Sequence, residues 1–514
     1  MSSLFVRKSI ADCENDIAER GGLKRSLNKW HLTALGVGAT IGAGIFATTG
    51  TAIAGDPARP GAGPAIILSF ILTAVTCGFA ALCYAEFAAM VPVSGSAYTY
   101  AYASLGELVA WIIGWDLIIE YAVGNIGVAI GWAGYFRELI AHFGMSLPPW
   151  LSTDFRSARF AAEAVAAGAA DPANQFLASA FGTAPHLFGF PVILNLPAFV
   201  VVAFITVLLV IGIRESANAN NAMVLLKIGI IIFFVAIGAF LIKPVNWNDP
   251  NTGGFAPNGF AGISAGAAII FFSYIGFDAT STAAEEAKDP GKDMPFGIIM
   301  SLAVCTVLYI VLAVAMTGMA PWKQLGTAEP MITALSLADG SPALLSASRL
   351  IVALGAVVAM TSVLLVFQLG QPRIFMSMAR DGLLPPVLAK VHPRFKTPYV
   401  GTIITGIFVG VFAAVANIAE VVDLTNIGTL FAFVLVSAGV IVLRIVEPQR
   451  ARPFRAPWVP ITPIISILAC LYLMWQLPGV TWKRFGIWLV VGLVFYFSYG
   501  ARHSRLRNQE RRAA

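Results

Sequence analysis

Charge is what this sequence has least of. Only 12% of its 514 residues are Asp, Glu, Lys or Arg, about half of the roughly 25% that a soluble domain carries. So few charges cannot clothe a water-facing surface on a chain this long, which excludes a soluble enzyme or a nucleic-acid-binding domain. Cysteine is sparse too. Cys13, Cys77, Cys83, Cys305 and Cys470 are scattered and odd in number, four of them within apolar runs. That pattern offers neither a disulfide framework nor metal-ligand spacing. The first thirty residues mix polar and charged side chains and lack the short apolar core of a cleaved signal peptide, so the first apolar run is expected to direct its own insertion.

What the sequence has in abundance is apolar length. Hydrophobic residues make up 58% of the chain, and runs of about 20 or more, enough to cross a bilayer, fall near 30–54, 62–90, 104–135, 193–213, 218–242, 262–287, 295–318, 346–377, 398–417, 422–446, 458–477 and 485–500. The pattern predicts an all-α polytopic membrane protein of twelve transmembrane helices. Placing both termini in the cytoplasm leaves only Arg59, Arg137, Arg156, Arg159, Lys243, Lys323, Arg349, Lys483 and Arg484 outside, plus Lys227 within a span. All other lysines and arginines then face the cytoplasm, the asymmetry expected of a multi-pass protein of the cell (inner or plasma) membrane. The net charge of +6 is thus a topology signal, and no nucleic-acid partner is implied; membrane lipids are. The longest connection, about 136–194, reads as an external cap with a short amphipathic helix in the Ala-rich segment Phe160 to Ala170.

The most informative stretch is Gly36-Val37-Gly38-Ala39-Thr40-Ile41-Gly42-Ala43-Gly44-Ile45-Phe46, in the middle of the first run. Gly costs roughly 1 kcal/mol against Ala in a helix interior, so such a cluster at mid-membrane depth points to a helix that breaks. Backbone groups freed there are tolerated only if buried in protein or lining a cavity. Gly38 and Gly42 also form a small-xxx-small pair that would let two helices approach. A dinucleotide loop is excluded, because no strand precedes the glycines. The sixth run holds the second anomaly, Phe271-Phe272-Ser273-Tyr274-Ile275-Gly276-Phe277-Asp278-Ala279-Thr280. An aspartate at that depth is a functional candidate, or a structural acceptor for N–H groups freed by a break. Interrupted first and sixth helices occupy equivalent places in two blocks of five spans, the pattern of an inverted-repeat transporter with substrate between half-helices.

These residues resemble a known family. Gly38-Ala39-Thr40-Ile41-Gly42-Ala43-Gly44-Ile45-Phe46 followed by Thr49-Gly50 is similar to the first-helix signature of the amino acid–polyamine–organocation superfamily. The segments from Phe277 to Pro290, ending at Pro295, and from Gln371 to Pro385 resemble its cationic amino acid transporter branch, in a bacterial form. The resemblance covers roughly residues 25–500. It implies a LeuT-like five-plus-five inverted repeat (30–242 and 262–446) with two extra helices (458–500), flanked by cytoplasmic segments 1–29 and 501–514, and amino acid transport rather than enzymatic catalysis.

An amino acid presents a carboxylate and an ammonium, and two broken helices present complementary ends. N–H groups of Ala43, Gly44 and Ile45, at the positive end of the resumed first helix, suit the carboxylate; carbonyls around Phe272, Ser273 and Ile275 suit the ammonium. Gly42, Gly44 and Gly276 let the ligand touch main chain. Thr40, Ile41, Phe272, Ile275, Phe277 and, by resemblance, Met360 are candidates for the side-chain pocket. An apolar pocket capped by Met360 favours small neutral substrates such as alanine. The alternative is a cationic substrate (arginine, lysine or ornithine), with Asp278, Asp116 or Glu120 facing the pocket. Lys227, nine residues after Asn218 and hence about 13.5 Å along its helix, lies near mid-membrane, where burial disfavours a charged amine. The resemblance matches relatives that hold a lysine ammonium where others hold sodium, implying proton coupling with no metal or cofactor; a scaffold brace is the bland reading. Asp116 and Glu120, four apart, share a helix face and either line the pathway or serve buried neighbours such as Tyr121 and Asn125. Glu285, Glu286, Lys288, Arg373, Arg380 and Asp381 form a candidate cytoplasmic latch. A small accessory membrane protein is a further candidate partner. An intramembrane aspartyl protease is disfavoured because neither Asp116 nor Asp278 lies in a Gly-x-Gly-Asp pattern; a channel or transporter-like amino acid sensor is the rival the fold admits.

Overall fold

A backbone in hydrocarbon can satisfy its N–H and C=O groups only within its own segment, so apolar runs of this length fold as helices. The structure, a computed structural model, describes residues 4, 6–8, 25–91, 96–168, 172–212 and 217–513. In chain order the apolar helices are α1 (Lys29–Ala54), α2 (Gly63–Met90), α3 (Glu107–His142), α4 (Leu196–Ile211), α5 (Ala217–Leu241), α6 (Gly259–Glu286), α7 (Pro290–Met319), α8 (Pro342–Arg380), α9 (Tyr399–Val415), α10 (Ile418–Val446), α11 (Ile461–Trp475) and α12 (Gly479–His503). Among the described residues nine of them are long and apolar enough to cross a membrane, while α4, α9 and α11 are apolar but shorter. Each falls on an expected run, with shifted ends: α3 continues past residue 135 to His142, and α12 begins at Gly479 rather than 485.

The expected cap helix is displaced. It spans Phe155–Ala166 and is N-capped by Asp154, whose carboxylate accepts from the Arg156 and Ser157 N–H groups. Burial pushes the Asp154 carboxyl up, against the opposing pull of those hydrogen bonds and of the Ser157 hydroxyl. The end of the expected segment, at Ala170, lies outside the described residues, as does Cys13. Two short antiparallel hairpins complete the connections, β1 (Gly55–Asp56) with β2 (Arg59–Pro60) and β3 (His186–Leu187) with β4 (Phe190–Pro191).

Burial sorts the helices into a centre and a periphery. The apolar windows of α1, α3 and α6 are 89%, 94% and 89% buried, against 22% for α12. Around them α2 packs on α7, α3 on α8 and α4 on α9, while α7 also lies along α1. Lipid is as apolar as leucine, so these pairs are held by close packing and interhelical hydrogen bonds rather than by escape from water. Aromatic stacking ties α12 to α3, with Trp115 and Trp488 rings 4.7 Å apart.

Two of the central helices are interrupted. In α1 the α-helix stops at Thr40, Ile41 turns extended (φ −75°, ψ 96°), and the chain resumes in a wide turn over Gly44–Thr48. In α6 the α-helix stops at Ile270 and tightens into a 3₁₀ turn over Phe271–Tyr274. Ile275 (ψ 132°) then opens the chain, and the second half, Asp278–Glu286, is 3₁₀ rather than α. The two interruptions cross in direct main-chain contact. A Cβ on Gly44 would lie 2.3 Å from Ser273 Cα, and a Cβ on Gly276, itself at φ +118°, would lie 2.8 Å from the Ala39 carbonyl. Neither neighbour is a side chain able to swing away. Gly44→Ala is therefore expected to destabilise the protein by about 3 kcal/mol or more, by overpacking at a site that cannot relax. The check is thermal unfolding in detergent; an unchanged melting temperature would contradict the crossing.

Candidate functional site at the helix interruptions

Breaking a helix at this depth frees carbonyls that must find donors, and donors arrive from four other helices. Lys227 of α5, fully buried, places Nζ 2.5 Å from the Gly38 carbonyl, where a cation complements the negative end of the first half of α1. Tyr309 of α7 donates to the Thr40 carbonyl (3.1 Å) and Tyr135 of α3 to the Phe46 carbonyl (2.7 Å). In α6, Asn426 of α10 donates to the carbonyls of Ala268 and Ile269, at 2.7 and 3.2 Å. The Thr40 hydroxyl bonds its own helix at Gly36, 2.7 Å away. Polar residues inside apolar spans were the available signal for Tyr135, Tyr309 and Asn426, but sequence reasoning passed over all three.

The expected binding residues converge on the crossing. Beyond the gap, Ala43, Gly44 and Ile45 begin a new helical stretch, whose first N–H groups have no acceptor ahead of them. Gly42 faces Val363 of α8, and Ala43 together with the Met360 sulfur faces Gly131 of α3. The Phe272 ring tip and Val421 of α10 both face Gly127 of α3. Ile275 is buried in extended conformation beside Gly276. The Ser273 hydroxyl is fully buried with no hydrogen-bond partner among the described residues. Phe277 departs from expectation: its ring joins Tyr84 and Phe433 in an aromatic cluster.

The acids separate. Asp278 opens the second half of α6 and accepts the Gly276 N–H at 3.2 Å, as expected of an acceptor at a break. Glu120, in a wide turn of α3 over Ile119–Val123, is a buried neighbour of Asp278, and one oxygen of each carboxyl has no hydrogen-bond partner among the described residues. Asp116 faces Gly428 of α10, and among the described residues neither of its oxygens has a partner. Asn125, considered above as a neighbour of these acids, donates to Gln368 of α8 at 2.6 Å instead.

A cavity of about 950 Å³ opens on the face away from the termini and reaches Ala47, Thr48, Ile130, Ile269 and Val422, at the outer rim of the crossing. Its wall carries charge of both signs. Arg59 reaches Asp423 (2.8 Å) and Asp56 (2.7 Å), and Arg137 reaches Glu329 (2.6 Å). On the opposite face the described residues join distant segments. The main chain at Leu4, Val6 and Lys8 bonds to Leu108, Glu107 and Tyr102, and Asp381 takes Lys8 Nζ (3.0 Å) and Tyr98 Oη (2.7 Å). Of the residues expected to latch this face, Asp381 thus pairs with partners outside the expected set, and Glu286 contributes its carbonyl, which accepts from Ser26 and Leu27.

Comparison with known proteins adds what geometry alone does not name. The family model described as amino acid permease matches residues 27–496. The chain belongs to the amino acid permease family. It is 44% identical to the branched-chain amino acid permease of Bacillus subtilis, over 98% of this chain and 99% of that one. It is also 43% identical to the methylthioribose transporter of the same organism, over 98% and 100%, and 35% identical to the vacuolar cationic amino acid transporter 4 of Arabidopsis thaliana, over 87% and 68%. This permease is accordingly a multi-pass membrane transporter of amino acids, not an enzyme.

If the capping hydroxyls hold the interruption open, Tyr309→Phe exposes the Thr40 carbonyl to an apolar surround. The expected loss is about 1–3 kcal/mol, together with weaker substrate binding. Thermal unfolding with and without amino acid reads both, and a variant matching the parent in both would remove Tyr309 from the site.

Proposed function

We propose that this permease is a secondary active, alternating-access carrier for small neutral L-amino acids such as alanine, driven by protons. The observation that carries the reading is the main-chain crossing of α1 and α6, where a helix start and a helix end face one gap. Helix N–H groups at Ala43, Gly44 and Ile45 would take the substrate carboxylate, and carbonyls near Phe272, Ser273 and Ile275 its ammonium. A five-plus-five inverted repeat of twelve spans with cytoplasmic termini is supported by the partners in the packing: α1 crosses α6, and α2, α3 and α4 each pack on the helix five places later. The charged wall of the outer cavity suits the approach of a zwitterion.

Substrate class follows from what faces the gap. Met360, Phe272, Ile275 and Ala43 are apolar and buried, and burying a cationic side chain among them would need a paired acid. Glu120 and Asp278 already face each other. A relative named for branched-chain amino acids, whose side chains carry no charge, agrees with the neutral reading. The cationic transporters among the relatives support the other. Competition decides: excess leucine or alanine should abolish uptake of labelled alanine, while equal arginine should leave most of it. Strong inhibition by arginine would reverse the assignment. Accelerated counterflow of labelled alanine in proteoliposomes separates a carrier from a channel or a sensor.

For the protons, two groups have suitable placement. Lys227 ties its amine to the end of the first half of α1, so loss of its proton would loosen that half-helix from α5. The Glu120–Asp278 contact can be a hydrogen bond only with a proton between the two carboxyls, which makes the pair a second carrier of the coupling proton. Lys227→Met and Glu120→Gln are each expected to abolish accumulation driven by a pH gradient, by roughly tenfold or more, while counterflow at equal pH survives better in Glu120→Gln. Gradient-driven accumulation at parental level in both variants would end the coupling proposal.

A further inference from the structure

The connection between α3 and α4 ends in a feature that transport does not account for. Leu187, Phe188 and Phe190 of the β3–β4 hairpin are 60%, 92% and 76% exposed, three large apolar side chains on one short hairpin. Its two-residue turn has Phe188 at φ +52° and Gly189 at φ +82°. Hairpin turns with both central residues at positive φ are ordinarily built from Asn-Gly or Gly-Gly, and a bulky residue in the left-handed region is an outlier. The fold thus holds a phenylalanine in a strained conformation and points it away from the rest of the described residues. In water that arrangement is unfavourable twice over.

The surroundings identify what covers it. The hairpin base is fixed where helices meet the membrane boundary: Leu194 N–H bonds the Trp150 carbonyl and Asn195 N–H the Ala414 carbonyl, both at 2.8 Å. Leu196 then starts α4, and Val415 ends α9. Both helices carry exposed apolar rows, Phe199, Val200 and Phe204 on α4 and Val411 and Phe412 on α9, so the hairpin continues a surface that already faces lipid. From residue 172 to 213 the sequence has no Asp, Glu, Lys or Arg, so His186 at the hairpin's base is the one titratable side chain it offers to water, set against three exposed large apolar ones. Phenylalanine side chains at the headgroup–acyl boundary are a common interfacial anchor.

We propose that the β3–β4 hairpin is a membrane anchor, with Leu187, Phe188 and Phe190 inserted into the interfacial region of the leaflet opposite the termini. It would tether the segment that walls the outer cavity through Ser152, Asp154, Ser157 and Asn174, holding that wall at a set height while the helices beneath it move. The test is site-directed spin labelling in nanodiscs of phosphatidylethanolamine and phosphatidylglycerol. A nitroxide is placed at Phe188→Cys, and separately at Leu187→Cys, in a Cys13→Ser background, the other four cysteines being buried. Reference labels go at Phe204 on α4 and at Glu163, an exposed residue of the cap helix. Both hairpin labels should be relaxed several-fold more by oxygen than by a water-soluble nickel chelate, as at Phe204. Free access of the nickel chelate, as at Glu163, would overturn the anchor. Exclusion of both relaxing agents would overturn it as well, by indicating a protein or a second copy as the covering surface.

Discussion

The structure depends on the contact of two main chains where their helices are broken. At Gly44 against Ser273 and at Gly276 against Ala39, the backbones of α1 and α6 lie too close for any side chain to come between them. In a bilayer interior this is costly, because helix interruption frees carbonyls and N–H groups that lipid cannot solvate. The surrounding bundle is arranged to meet that cost. Lys227, Tyr309, Tyr135 and Asn426 come from four different helices, and each ends on a carbonyl next to an interruption. What they leave over is a small set of main-chain groups facing one gap, which on the proposed function would hold the invariant part of an amino acid and leave specificity to side chains from α3, α6 and α8.

Among the described residues the two sides of this contact differ. Above it the cavity descends to Ala47 and Ile269; below it the chain is packed, with Glu107 accepting from Tyr102 and Tyr496 and Asp381 from Lys8 and Tyr98. The upper side is open, with buried and half-buried charges on its wall, whereas the described residues of the lower side are joined by hydrogen bonds, several of them between segments far apart in the chain. On the proposed function, exchange of the two arrangements about a fixed crossing would move a ligand from one face to the other, its contacts being to backbone that stays in place. Two fully buried ionisable groups meet the interrupted helices: the Lys227 amine of α5 ends on the Gly38 carbonyl of α1, and Asp278 opens the second half of α6.

How much of this was legible in the chain depended on whether a residue broke a local rule. Gly42, Gly44 and Gly276 stood out because glycine is expensive in a helix, and Asp278 and Lys227 because charge is expensive in hydrocarbon. The helix runs were legible for the same reason, to within a few residues at most ends. Partnerships were not legible, since they join positions remote in sequence: Tyr309 and Thr40 are 269 residues apart, Asn426 and Ala268 are 158. Nor was the direction of a side chain. Phe277 sits in the same motif as Ile275, yet the turn at Gly276 sends its ring into the Tyr84–Phe433 cluster. Glu120 was paired in sequence with Asp116, its neighbour on the same face, but a wide turn in α3 brings it to Asp278. The contacts on the face of the termini drew on Lys8, from a segment outside every apolar run long enough to span a bilayer.

The central claim is that bare main chain at the crossing binds the zwitterion, and it can be measured as a distance. Solid-state NMR on the permease in lipid, with ¹⁵N-labelled glycine and isoleucine and alanine labelled with ¹³C at its carboxyl carbon, reports dipolar contacts between that carbon and the amide nitrogens. The expected result is a carbon–nitrogen separation of about 4 Å or less to Gly44 or Ile45, as an N–H to carboxylate hydrogen bond of ~2.9 Å requires. Saturating alanine that binds without any such contact would contradict the account.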